Sequence, residues 1–178
     1  LADRLRPGPY GDYVLAVGRL ETVKRPQLAI EAMTMVDRPV ELWLAGDGTQ
    51  RANLEAFAAA RGVSDRVRFL GAISDDDLLA LYAGALAVAY APFDEDFGYV
   101  TLEAFLARKP VITASDSGGT LEFVVDGING AIVEPKPEPL AVAINQYAAN
   151  RAKAASHGDA GHARAAGDLD PGRLLPRP

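Results

Sequence analysis

The run "YVLAVG", Tyr13–Gly18, followed after a short basic loop by "PQLAIEAMTMV", Pro26–Val36, decides how the rest of the chain is read. The first is a short apolar stretch that stops at a glycine, as a buried strand does. The second carries apolar residues at helical spacing behind a proline suited to a first turn. Together they make a β-α unit, and the alternation recurs: "VELWLAG" with "TQRANLEAFAAARG", "VRFLG" with "DDDLLALYAG", "LAVAYAP" with "GYVTLEAFLA", and "PVITA" with "TLEFVVDG". "NGAIVEP" adds a sixth strand and "PEPLAVAINQYAANRAKAA" a closing helix. Near-continuous apolar strands alternating with helices predict an α/β fold, a doubly wound parallel sheet of about six strands covered on both faces. Residues 1–12 read as the remnant of an interdomain linker and 13–155 as one domain. After Ser156 no sustained apolar face is left, so a loose tail is expected over 156–178.

Composition narrows the function. With 178 residues, 49% of them hydrophobic and 24% charged, the chain suits one domain with a sizeable core. A net charge of -6 gives no basic field for nucleic acid, although a few cations can still make a local anion site. There is no cysteine, and the two histidines, His157 and His162, fall in the tail, which excludes a disulfide framework and a thiolate metal site. No apolar run reaches the roughly 18 residues of a transmembrane helix, and "LADRLRPGPYGDY" has no signal-peptide pattern. A cytoplasmic fragment of a longer protein is expected.

In an open α/β sheet, ligands bind beyond the carboxyl ends of the strands, so the loops there carry the chemistry. After the first strand, Gly18 permits a tight turn and Arg19 and Lys24 lead toward a helix start, a plausible diphosphate clamp. The plainer reading makes Arg19, Lys24 and Arg25 solvated surface charges. "AGDGTQ" lacks the third glycine of a dinucleotide fingerprint, and no ATPase phosphate loop is present. Phe69, Leu70 and Gly71 offer backbone groups only. The fourth loop brings Asp94, Glu95 and Asp96 up to Phe97 and Gly98, where a helix begins and its first N–H groups are free for sugar or phosphate oxygens. Gly118 and Gly119 in the fifth permit close backbone approach.

The helix that opens near Gly98 poses a question. Val100, Leu102, Ala104, Phe105, Leu106 and Ala107 make it apolar on nearly all sides, yet it contains Glu103. Its neighbours one turn away, Tyr99, Val100, Leu106 and Ala107, cannot neutralise a carboxylate. A buried charge is costly without hydrogen bonds, so another segment or a ligand must serve it. On a purely structural reading, Glu95 stabilises the helix N-terminus and Glu103 pairs with a buried cation.

Taken in order, "VGRLETVKRP", "ELWLAGDG", "RVRFLG", "EDFGYVTLEAFLARKPVI" and "DSGGTLEFVVDGINGAIV" resemble the C-terminal, Rossmann-like domain of retaining GT-B glycosyltransferases of group 1, or family 4. The resemblance runs from Tyr13 to Val133. It implies a domain that holds a UDP-, GDP- or ADP-sugar for transfer of a hexose with retained configuration. By that resemblance Arg19 and Lys24 contact the diphosphate, with Gly18 at the turn. Glu95 contacts the transferred sugar and Glu103 the ribose hydroxyls. The backbone of Phe97, Gly98, Tyr99, Val100 and Thr101 faces sugar and phosphates, and Phe69 to Gly71 border the base. Cations and helix N-termini, with no metal or other cofactor, stabilise the leaving group. The resemblance also implies an N-terminal acceptor-binding domain outside this chain, through which alone any membrane contact is made, and an inactive fragment without it. The alternative is a non-catalytic nucleotide-sugar or carbohydrate binding module.

Overall fold

The structure, a computed structural model, describes residues 2–168. Six strands, β1 (Tyr13–Val17), β2 (Glu41–Ala45), β3 (Val67–Gly71), β4 (Ala87–Ala89), β5 (Val111–Ala114) and β6 (Gly130–Val133), form one parallel sheet in the order β3-β2-β1-β4-β5-β6. Successive strand residues point to opposite faces. Val14, Leu42, Leu44, Ala87 and Ile112 enter one core layer, while Leu15, Ala45, Val88, Tyr90 and Val111 enter the other. Helices α1 (Pro26–Ala32), α2 (Arg51–Ala60) and α5 (Pro137–Ala149) supply the first layer. Helices α3 (Asp75–Gly84) and α4 (Tyr99–Leu106) supply the second, with the far end of α6 (Arg151–Asp168). Both faces are therefore covered, which is why the strands are mostly apolar, with charged residues only at Glu41 and Arg68.

The strand order reverses between β1 and β4. Chain leaving β1 turns one way and chain leaving β4 the other, which opens a crevice at their carboxyl ends. Gly46, after β2, lies close by at φ 135°, and a Cβ there would sit 2.1 Å from the carbonyl oxygen of Gly18. Only glycine lets these two strand ends approach so closely.

Three sequence expectations need correction. The closing helix breaks at Asn150, whose side-chain oxygen accepts from Lys153 N at 2.9 Å and so caps a separate helix, α6. That helix runs on to Asp168 where a loose tail was expected from Ser156; residues 169–178 lie outside the described residues. It lacked a visible apolar stripe because it docks through small residues: Ala154 and Ala165 are buried, Gly158 faces the carbonyl of Arg108, and Gly161 lies against the Phe105 ring of α4. The helix expected from "TLEFVVDG" is only a short 3-10 turn, Gly118–Glu122.

The lead-in is docked as well. Leu5 is buried, the Tyr10 hydroxyl donates to Arg108 O at 2.6 Å, and the fully buried Lys109 donates its ammonium to Gly8 O at 2.9 Å and stands over the Tyr10 ring.

Gly161→Ala separates a docked α6 from a free one. On an undocked helix the change stabilises by about 1 kcal/mol. Here the new Cβ would lie 2.3 Å from the Phe105 ring, and overpacking costs about 1–3 kcal/mol. A lower urea midpoint is expected; a higher one would contradict the packing of α6 on α4.

Candidate functional site

The loop after β1 ends in a 3-10 turn, Thr22–Lys24, closed by Arg25 in the left-handed region at φ 50°. A non-glycine residue holds that conformation only where its surroundings compensate. The Arg25 guanidinium donates to both oxygens of Asp116, at 2.9 and 2.7 Å, and to the carbonyls of Ala91 and Pro92, at 2.9 and 2.7 Å. Its side chain is 14% exposed, so it is not the solvated charge of the plainer reading. These hydrogen bonds hold the Asp116 carboxyl below the usual carboxylate range. The planar fork of arginine suits this double recognition. Around it the loops are laced: Phe93 N donates to Val23 O at 2.8 Å, Asp94 N to Asp116 O at 3.0 Å, Ser117 Oγ to Pro92 O at 2.8 Å and Gly119 N to Glu95 O at 2.6 Å.

This lacing sets Lys24 against Glu95. The Lys24 ammonium donates to Glu95 Oε2, which also accepts the Tyr90 hydroxyl at 2.8 Å. Burial pushes the Glu95 carboxyl up, but the bonds from Lys24 and Tyr90 outweigh it and the pKa falls below the ordinary value. Arg19 is exposed, and among the described residues it has no ion pair of its own, although its charge reaches Glu95. Gly98, at φ 76°, caps α4 without a side-chain bond, and Thr101 N turns back to Gly98 O at 2.9 Å. The N–H groups of Tyr99 and Val100 have no bond to other described residues, so the positive end of α4, reached by the loop that leaves β4, is open.

Glu103 lies one turn further along α4. Its partner among the described residues is Tyr82, near the end of α3, whose hydroxyl donates to Glu103 Oε2 at 2.7 Å. No buried cation pairs with it there. Burial raises the Glu103 carboxyl against the pull of this bond. The two glutamates form one electrostatic neighbourhood: burial, the bond to Glu95 and the charges of Glu95 and Glu103 all push the Tyr90 phenol up. Phe97 packs on Phe123 and Tyr99. Phe69 and Leu70 sit at the same end of the sheet, two strands and thus roughly 10 Å from β1.

Arg25, Asp116, Tyr82 and Tyr90 went unread in the sequence as site residues, and only the left-handed turn and side-chain burial mark them. Asp94 and Asp96 also stand in an Asp-x-Asp spacing. Both are exposed, and among the described residues no three acidic or histidine side chains gather as a metal site. The crevice lined by Gly18, Arg19, Lys24 and Tyr90 is shallow, about 30 Å³. A larger cavity of about 530 Å³ lies away from it, between β6, α5 and α6, lined by Ile132, Val142, Tyr147 and His157.

A doubly wound sheet with cations, carboxylates and an open helix N-terminus at its switch point defines a Rossmann-like domain of the GT-B type. The family profile described as Glycosyl transferases group 1 matches residues 7–164, and the chain belongs to that family. It is 38% identical over 148 residues to a D-inositol 3-phosphate glycosyltransferase of Salinispora tropica, a match covering 75% of this chain and 30% of that protein. It is 32% identical over 168 residues to the mouse alpha-1,3/1,6-mannosyltransferase ALG2, covering 85% of this chain and 40% of that one. Anabaena HepE in complex with UDP-glucose superposes with a TM-score of 0.82 at 30% identity, over 90% of this chain and 45% of HepE. The chain thus spans less than half the length of these relatives, the size of a C-terminal domain.

Arg25→Lys keeps the charge but loses the fork. With hydrogen bonds to charged groups worth about 1.5–3 kcal/mol, the variant should lose about that much stability in urea denaturation. Arg19→Lys, at an exposed position with no ion pair among the described residues, should stay within about 0.5 kcal/mol of wild type. Equal, small effects would contradict the clamp.

Proposed function

We propose that this chain is the donor-binding domain of a retaining glycosyltransferase, which moves a hexose from a nucleotide-activated sugar to an acceptor gripped by a second domain. The observation that carries the reading is the meeting of Arg19 with the Lys24–Glu95–Tyr90 cluster at the β1/β4 crevice, with the open N-terminus of α4 following on the loop that leaves β4. A diphosphate brings two to three negative charges to one place; this crevice offers a guanidinium with no ion pair among the described residues and an ammonium, and the helix amides of α4 follow on the next loop. UDP and UDP-glucose in the HepE structures make a uridine nucleotide the first donor to test, ahead of its guanosine and adenosine counterparts.

The roles follow from position. Arg19 and Lys24 stabilise the charge that grows on the diphosphate as the glycosidic bond breaks, without a metal ion. Lys24 exchanges its Glu95 partner for phosphate, while Tyr90 keeps its bond to Glu95 so that the carboxylate faces the sugar. Glu103 accepts the ribose hydroxyls. A crevice this shallow excludes little water, so the chain alone positions no acceptor and transfers essentially no sugar.

Calorimetric titration with UDP and UDP-glucose tests this. Binding should persist in EDTA, and strict dependence on a divalent cation would contradict the metal-free account. Arg19→Ala should weaken UDP at least tenfold, about 1.5 kcal/mol or more, with an unchanged melting curve. Glu103→Gln should weaken both ligands by similar factors. Glu95→Gln should spare UDP and weaken UDP-glucose, and equal effects of the two substitutions on UDP would defeat the division of roles.

A further inference from the structure

We propose that Tyr82 is the positioning residue for Glu103: its hydroxyl ties one carboxylate oxygen down from the core side and leaves the carboxylate facing the ribose of a bound nucleotide. This rests on the reading of Glu103 as the ribose acceptor. Tyr82 is fully buried in the last turns of α3, and its one polar side-chain atom is spent on Glu103 Oε2 at 2.7 Å. A buried hydroxyl costs free energy unless bonded, so a side chain needed only to fill space there could be phenylalanine. Among the described residues no other side chain holds the carboxylate. Its α4 neighbours Val100, Leu106 and Ala107 have no side-chain donors, Tyr99 is 66% exposed, and no other described side chain donates to it.

The bond leaves lone pairs for a ligand. An ionised carboxylate has about four acceptor sites; Tyr82 takes one, so Oε1 is open and Oε2 keeps a second site. A vicinal diol can then be accepted across both oxygens. Among the described residues, Asp75 on α3 and Tyr90, just after β4, are the titratable groups besides Tyr82 whose interactions reach Glu103, and neither is a cation. Tyr82 therefore also favours the ionised acceptor against the burial that opposes it. Burial and the Glu103 charge push the Tyr82 phenol well above its ordinary value, which keeps it a proton donor.

The test is calorimetric titration of wild type, Tyr82→Phe, Glu103→Gln and the double variant with UDP and with 2′,3′-dideoxy-UDP, each variant checked by thermal denaturation. Wild type should prefer UDP. Tyr82→Phe should lose about three- to tenfold in UDP affinity with dideoxy-UDP unchanged, and should add nothing once Glu103 is glutamine. Equal weakening of both nucleotides, or an intact preference for UDP, would overturn the positioning role. A wild-type chain that binds both nucleotides equally would overturn the ribose reading itself and the role of Tyr82 with it.

Discussion

The bidentate pair between Arg25 and Asp116, with the two carbonyl bonds that Arg25 adds at Ala91 and Pro92, is the contact on which the arrangement of the site depends. At a switch point the chain leaves neighbouring strands in opposite directions, so the loops after β1, β4 and β5 have no sheet pairing to align them. Arg25 joins all three through one planar group. Its left-handed backbone turns the preceding residue, Lys24, toward Glu95 and starts α1 at Pro26. Without that clamp, the ammonium and the carboxylate sit on separate loops.

Around the clamp, two carboxylates are held by the same device under different conditions. Each accepts a tyrosine hydroxyl, Tyr90 for Glu95 and Tyr82 for Glu103. Glu95 has a cation beside it as well, and its pKa falls; Glu103 has none among the described residues, and burial raises it. The first is thus suited to a place where charge develops near a sugar. The second is suited to accepting neutral hydroxyls, whose bonds to a desolvated carboxylate are strong. The apolar helix and its one acid, puzzling as sequence, make sense as a wall that both shields and aims a carboxylate.

Much of this was legible from residue order. The β-α alternation carried the parallel sheet and its count of strands, and the loop rule placed Arg19, Lys24 and Glu95 at one end of it. The helix N-terminus at Gly98 could be read because an apolar run follows a glycine directly. What the letters concealed was contact across the fold. Arg19 and Arg25 look alike in "GRLETVKRP", and only burial and a backbone dihedral make one a ligand candidate and the other a clamp. Helix α6 escaped notice because it packs glycine and alanine against Phe105 instead of presenting an apolar stripe. Tyr82 and Tyr90 lie in runs that read only as a helix and a strand, and the fold alone turns their hydroxyls toward the glutamates.

We propose that the β1/β4 crevice, shallow as it is, binds the nucleotide, and that the larger cavity beside β6 does not. Titrating the isotope-labelled chain with UDP and following its amide resonances addresses this directly. The account predicts shifts concentrated at Gly18, Arg19, Lys24 and the first turn of α4 from Gly98 to Thr101, with Ile132, Val142, Tyr147 and His157 undisturbed. Shifts centred on those last four residues, or none at Gly98 to Thr101 under saturating UDP, would contradict it.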